Sequence, residues 1–264
     1  GEWMKITVLN NNKGYFSDKT EAAGLEETSG WWNCLYPADI DNDGDTDIIG
    51  GNLGLNSTLK ASVKEPVEMY LNDFDGNGIL DQVICSYREG VSYPVASFDQ
   101  LRAQINGIEK KFPHYSDFAG KTAKDIFGIT PLKRGIKKDA VLFESCLFIN
   151  DGNGKFRTIK LPAEAQFSPV RSILSEDINR DGFADILLVG NDYTAKPSFG
   201  RYDASYGWCL LNDKSGNYKS IMPVKSGFIV NGDARKLLPL VISGTQYVIA
   251  GVNDNDLQIF KEIR

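Results

Sequence analysis

The chain has 264 residues, 42% hydrophobic and 24% charged, the proportions of an ordinary globular protein with a substantial core. Its net charge of −6 argues against a nucleic-acid partner, because phosphate binding needs a basic face. No 18-residue apolar run is present to span a membrane, and no signal peptide opens the chain.

The chain enters a strand almost at once, so it is expected to be a piece of a longer protein. Its first stretch, ITVLNNNKGYF (6–16), is an apolar run, an asparagine, a polar glycine-containing turn and an aromatic residue. Similar stretches recur as MYLNDFDGNG (69–78), LFINDGNGKF (147–156) and LLNDKSGNY (210–218). Asn-Asp-Gly turns supply the left-handed backbone of a tight hairpin, so strand–turn–strand units are predicted. In the second stretch an acidic loop replaces the turn.

Acidic nonapeptides begin 23 residues after Phe16 and 21 after Phe156. Each runs into an apolar strand, TDIIGGN (46–52) or ADILLVGN (184–191). The order strand, acidic loop, strand, hairpin makes four strands per unit. Four-stranded units in series predict an all-β protein, a β-propeller of about four or five blades. A β-sandwich of short strands is the alternative.

Residues 97–128 break the pattern and read as helix. Ser97 with Gln100, and Thr122 with Asp125, have capping-box spacing, and Gly128 closes the segment. Leu101, Ile105, Ile108 and Phe112 keep helical spacing. One domain over 1–264 is expected, with a helical insertion at 97–140. The final segment, 228–260, alternates like strands without an acidic loop and reads as a degenerate blade. The first strands (5–16) are expected to pair with 256–262 or with further chain. Cys34, Cys85, Cys146 and Cys209 form no CxxC pair and read as buried thiols, with disulfides left open.

The acidic stretches align as DIDNDGDTD (39–47), DFDGNGILD (73–81) and DINRDGFAD (177–185). Positions 1, 3, 5 and 9 are always Asp or Asn, and position 6 is always Gly. Hard oxygen donors at alternate positions of a curled loop suit Ca²⁺, which takes six to eight oxygens. The side-chain donors would be Asp39, Asp41, Asp43 and Asp47; Asp73, Asp75, Asn77 and Asp81; and Asp177, Asn179, Asp181 and Asp185. Position 7 would add a backbone carbonyl, from Asp45, Ile79 and Phe183. An EF-hand is excluded because position 12 is Gly50, Ile84 or Leu188 rather than Glu. Solvated Asx-turns explain one such loop well and three badly. The turns at 150–156 and 212–218 lack the carboxylates and read as metal-free.

These nonapeptides, the LFINDGNGKF-type hairpins and their spacing resemble FG-GAP/VCBS repeats, the integrin-α-like propeller family. The resemblance covers most of the chain outside the helical stretch. LPAEAQFSPV (161–170) and GRYDASYG (200–207) resemble the C-terminal part of large repeat proteins of Bacteroidetes-type bacteria. The resemblance implies up to three Ca²⁺ ions, an extracellular or cell-surface location, and adhesion or ligand binding.

Catalytic signals are sparse. The single histidine, His114, has no neighbouring nucleophile motif, and no GxSxG, P-loop or HExxH occurs. A non-catalytic module is expected, with a polysaccharide-acting enzyme built on paired carboxylates or a purely structural module as alternatives. Trp31, Trp32, Tyr193, Arg201, Tyr202, Asp203 and Tyr206 cluster near glycine-rich loops. They are the candidate surface for a glycan or protein partner, with inter-sheet packing as the other reading.

Overall fold

The computed structural model describes residues 1–196 and 200–261. Residues 197–199, between the candidate residues Tyr193 and Arg201, and residue 262, at the end of the segment 256–262, lie outside that description. The protein is mostly β and is built on four-stranded antiparallel sheets, as the repeats require.

In chain order, β1 (Glu2–Met4) is followed by the hairpin of β2 (Leu9–Asn12) and β3 (Tyr15–Asp18). Then come β4 (Gly30–Trp31), which pairs with β1, β5 (Cys34–Ala38) and β6 (Asp47–Gly51). Next are β7 (Val67–Asn72), β8 (Asp81–Arg88) and β9 (Val91–Pro94). Five short helices follow: α1 (Phe98–Gln104), α2 (Ile108–Lys111), α3 (Tyr115–Phe118), α4 (Ala123–Phe127) and α5 (Ile129–Arg134). The remaining strands are β10 (Ile136–Ala140), β11 (Cys146–Asn150), β12 (Phe156–Lys160), β13 (Val170–Glu176), β14 (Asp185–Gly190), β15 (Trp208–Asn212) and β16 (Tyr218–Ile221). The last three are β17 (Ala234–Ile242), β18 (Thr245–Val252) and β19 (Gln258–Lys261).

Two compact units divide these elements. The first comprises Gly1–Glu26, Gly30–Thr58 and the chain from Phe143 onward. It holds the sheets β12-β11-β6-β5, β13-β14-β15-β16 and β17-β18-β19. Their first strands lie side by side, with β13 packed on both β5 and β17. The reason is visible in β14, whose sequence DILLVG is buried throughout. Alternate side chains of a strand face opposite ways. Ile186 and Leu188 enter one core with Ile49, Leu147, Ile149 and Ile173, while Leu187 and Val189 enter another with Phe228, Leu237 and Val252. A strand covered on both faces reads as a continuous apolar run, and each such Leu or Ile contributes roughly 1.5–3 kcal/mol. The segment 228–260 forms three strands without an acidic loop, as expected. The pairing considered between the first strands and 256–262 does not form among the described residues: β2 and β3 pair with each other, and β19 pairs with β18.

The second unit, Glu27–Ser29 with Leu59–Leu142, takes in the helices and also a whole sheet, β10-β7-β8-β9. Both capping boxes form, at Ser97 and Thr122. The helical run from Leu101 to Phe112 is not continuous. It breaks after Gln104, where Gly107 turns the chain at φ +81°. The periodicity still held its purpose, because Leu101, Ile105, Ile108 and Phe112 share one core with Val83 and Cys85 of β8. All four cysteines are free thiols.

Candidate metal centres

The three nonapeptides are built on one hydrogen-bond scaffold. Each connects two paired strands: β5 to β6, β7 to β8, and β13 to β14. Position 1 accepts the N–H of position 6 every time: Asp39 from Gly44 (3.1 Å), Asp73 from Gly78 (2.8 Å) and Asp177 from Gly182 (2.9 Å). Position 9 accepts the N–H of position 2: Asp47 from Ile40 (2.8 Å), Asp81 from Phe74 (3.0 Å) and Asp185 from Ile178 (2.9 Å). These two links curl each loop back on itself, and in the first loop side chains 1, 3 and 5 converge. The curl needs left-handed backbone twice. Position 6 is glycine, at φ +90° for Gly44, +84° for Gly78 and +90° for Gly182. Position 4 is also left-handed, at φ +60° for Asn42, +76° for Gly76 and +61° for Arg180. The sequence hid this second turn behind three different residue types.

The first loop has the strongest donor set. One carboxylate oxygen each from Asp39, Asp41 and Asp43 lie within 4.8 Å of one another. Oxygens on opposite sides of a Ca²⁺ stand about 5 Å apart, so the spacing suits that ion. Asp39 Oδ1 is also shut off from solvent with no hydrogen-bond partner, which leaves a buried anionic oxygen unsatisfied. A divalent cation offsets both the repulsion and the orphaned oxygen.

The second loop brings Asp73, Asp75 and Asp81 within the same 4.8 Å. Asp75 Oδ2 already accepts from the Asn106 backbone N–H (2.8 Å) and side-chain Nδ2 (2.7 Å). The first of these hydrogen bonds leads in holding the Asp75 carboxyl below its ordinary range. In the third loop no carboxylate trio converges among the described residues. Its Asp177, Asn179 and Asp181 carry turn hydrogen bonds, and Lys214 Nζ lies 3.5 Å from Asp181 Oδ2.

Position 9 has a further task in two loops. Asp47 and Asp185 are fully buried. Their second oxygens accept the N–H of the hairpin asparagines Asn150 (2.7 Å) and Asn212 (2.9 Å). Burial pushes both carboxyls up from their ordinary value, against the pull of those N–H groups. The position-7 residues Asp45, Ile79 and Phe183 differ in side chain while sharing the same place in the curl.

Two buried asparagines escaped the sequence reading. Asn52 Oδ1 accepts from the N–H groups of Trp31 and Leu53 (2.9 Å each). Asn191 Oδ1 accepts from Ser168 Oγ (2.8 Å) and Ser205 N (3.1 Å), while its Nδ2 donates to the carbonyls of Ser205 and Gly232 (2.9 Å each). Their signal was present: both follow the strand after an acidic loop, as GGN and VGN.

The aromatic candidates separate. Trp32 is 4% exposed, edge-on to Phe148, and has no face left for a ligand. Trp31 packs between Trp3 and Phe143 at about 5 Å. Arg201 lies 3.4 Å from the Tyr193 ring centroid and 3.5 Å from Asp203. Tyr202 OH is 3.1 Å from Ser57 Oγ. Arg201, Tyr202 and Asp203 line an open cleft of about 360 Å³ with Asn56, Ser57 and Thr58. Tyr206 is exposed and is not part of that lining. His114 is exposed at the start of α3.

Residues 4–50, from the first hairpin through the first acidic loop, match the family model described as FG-GAP-like repeat. No curated protein sequence matches the chain.

Proposed function

The chain carries an FG-GAP-like repeat, and from it we propose a non-catalytic, calcium-bound β-propeller module of an exported surface protein, serving adhesion or the binding of a glycan or protein. The observation that carries the calcium reading is the first loop, with three carboxylates around the unsatisfied Asp39 Oδ1. Asp39, Asp41 and Asp43 would hold one ion there, Asp73, Asp75 and Asp81 a second, and Asp177, Asn179, Asp181 and Asp185 a third. The bound ion supplies charge neutralisation and a cross-link between the strands flanking each loop. The side-by-side first strands β5, β13 and β17 support blades. The cleft beside Arg201 and Tyr202 is the ligand-facing region of this reading, since binding residues concentrate on loops held by a rigid scaffold.

Thermal unfolding in EDTA and then in excess Ca²⁺ tests the calcium reading. An ion at 100 times its Kd adds about 2.7 kcal/mol, so the midpoint rises with calcium. Mg²⁺ substitutes poorly because it demands tighter octahedral geometry. An unchanged midpoint overturns the calcium reading. For the ligand face, Tyr202→Ala weakens capture on a glycan array while leaving the calcium-dependent melt in place.

A further inference from the structure

The first and third loops offer an internal comparison. Each is followed in its sheet by a hairpin whose asparagine is tied to position 9, Asn150 in one and Asn212 in the other. Counted from that asparagine, Gly152 and Lys214 hold the same place. The glycine lies against its loop: a Cβ there would be 3.7 Å from Asp45 Oδ2. Both residues are left-handed, at φ +83° for Gly152 and +68° for Lys214. A lysine thus stands in a conformation that glycine adopts without penalty. Its ammonium reaches 3.5 Å from Asp181 Oδ2 and lies 5.8 Å from the Phe183 ring centroid.

The third loop is also poorer in anionic oxygens than the first. Like the second, it has three aspartates where the first has five, and Arg180 stands at position 4. Asp185 gives both oxygens to backbone N–H groups, and so does Asp177. Asp181 takes the Phe183 N–H at Oδ1 (3.1 Å) and Asn179 Nδ2 at Oδ2 (3.2 Å), and Lys214 sits on that second oxygen as a full charge partner. The first loop has a cation nearby too, but Arg157 Nε is held by Asp151 at 2.7 Å, and Nη2 stays 3.9 Å from Asp41.

We propose that Lys214 is a built-in counter-ion of the third loop, at the hairpin position that Gly152 leaves bare beside the first, so that the third loop binds calcium more weakly than the first. This rests on the calcium reading above. To bind there, Ca²⁺ must displace the ammonium from Asp181 or accept its repulsion. An exposed pair of this kind is worth up to about 1 kcal/mol, so the handicap is about 5-fold in affinity.

Calorimetric titration with Ca²⁺ of the parent, Lys214→Gln, Lys214→Arg and Asp181→Ala tests this. The glutamine keeps the backbone demand of position 214 and removes the charge. The expected result is a parent with one weak step that Asp181→Ala abolishes, that Lys214→Gln tightens about 5-fold, and that Lys214→Arg leaves unchanged. In EDTA, Lys214→Gln also melts below the parent, because the loop loses its counter-ion. Identical steps in parent and Lys214→Gln overturn this inference and leave the calcium reading standing. A parent that binds no calcium at any loop overturns both.

Discussion

Asn191 closes four hydrogen bonds from a site 2% exposed to solvent. Asn191→Ala leaves two carbonyls, an N–H and a hydroxyl without partners in the interior. Each such group costs about 1–3 kcal/mol less whatever relaxation recovers, so a loss of about 3 kcal/mol is expected. It reads as a fall in melting midpoint of about 6–12 °C for a chain of this size. The cysteines make the opposite kind of prediction, one of silence. Burial pushes the thiols of Cys34, Cys85 and Cys146 up to about 12, and that of Cys209 to about 11. Thiolate is the reactive form, so at pH 8 iodoacetamide labels none of them in the folded protein and all four after denaturation. Mass spectrometry of the native and denatured reactions checks this.

The first and third loops are joined as elements. Asn42 Nδ2 donates to the carbonyl of Gly182 at 2.8 Å, and Asn212 Nδ2 donates to that of Ile40 at 3.0 Å. Asn42→Ala removes the exposed link without touching a carboxylate. A loss of about 0.5–1.5 kcal/mol is expected in urea unfolding, with the slope unchanged. The sequence revealed the loops because their donors repeat at every second position and glycine recurs at the sixth. It revealed α1 and α4 because Ser97, Gln100, Thr122 and Asp125 act within one turn of each other. It did not reveal the break at Gly107, because Leu101 to Phe112 serve one core on either side of it and keep their period. Nor did it separate the tasks of the aspartates. Position 9 looks like any other carboxylate in the alignment, yet Asp47 and Asp185 are spent on backbone N–H groups from two directions. That distinction depends on Asn150, which lies about a hundred residues from Asp47, and on Asn212, and a local pattern does not contain it.

At the scale of the molecule, the sequence of the second unit interrupts that of the first between two paired strands, β6 and β11. β6 and β11 pair directly, with Gly50 opposite Cys146, and Gly54 N–H meets the Phe143 carbonyl at 2.8 Å. Residues 59–142 therefore leave and re-enter at one point. Replacing them with a short Gly/Ser linker between Thr58 and Phe143 should give a cooperatively melting protein that retains the first and third loops. Circular dichroism and calcium titration check it, and a chain without a cooperative transition rejects the two-unit division. The same long interruption dictates an order of events during folding. Closing a flexible loop of about 90 residues costs on the order of 4 kcal/mol in chain entropy, which must be met before β6 and β11 gain any contact. Pairs so distant along the chain are slow to form. A second unit that collapses first, around the local contacts of its helices and of β7 with β8, shortens the gap that β6 and β11 have to close. The strand that carries the first acidic loop into its sheet thus completes its pairing late, after a part of the protein with a core of its own.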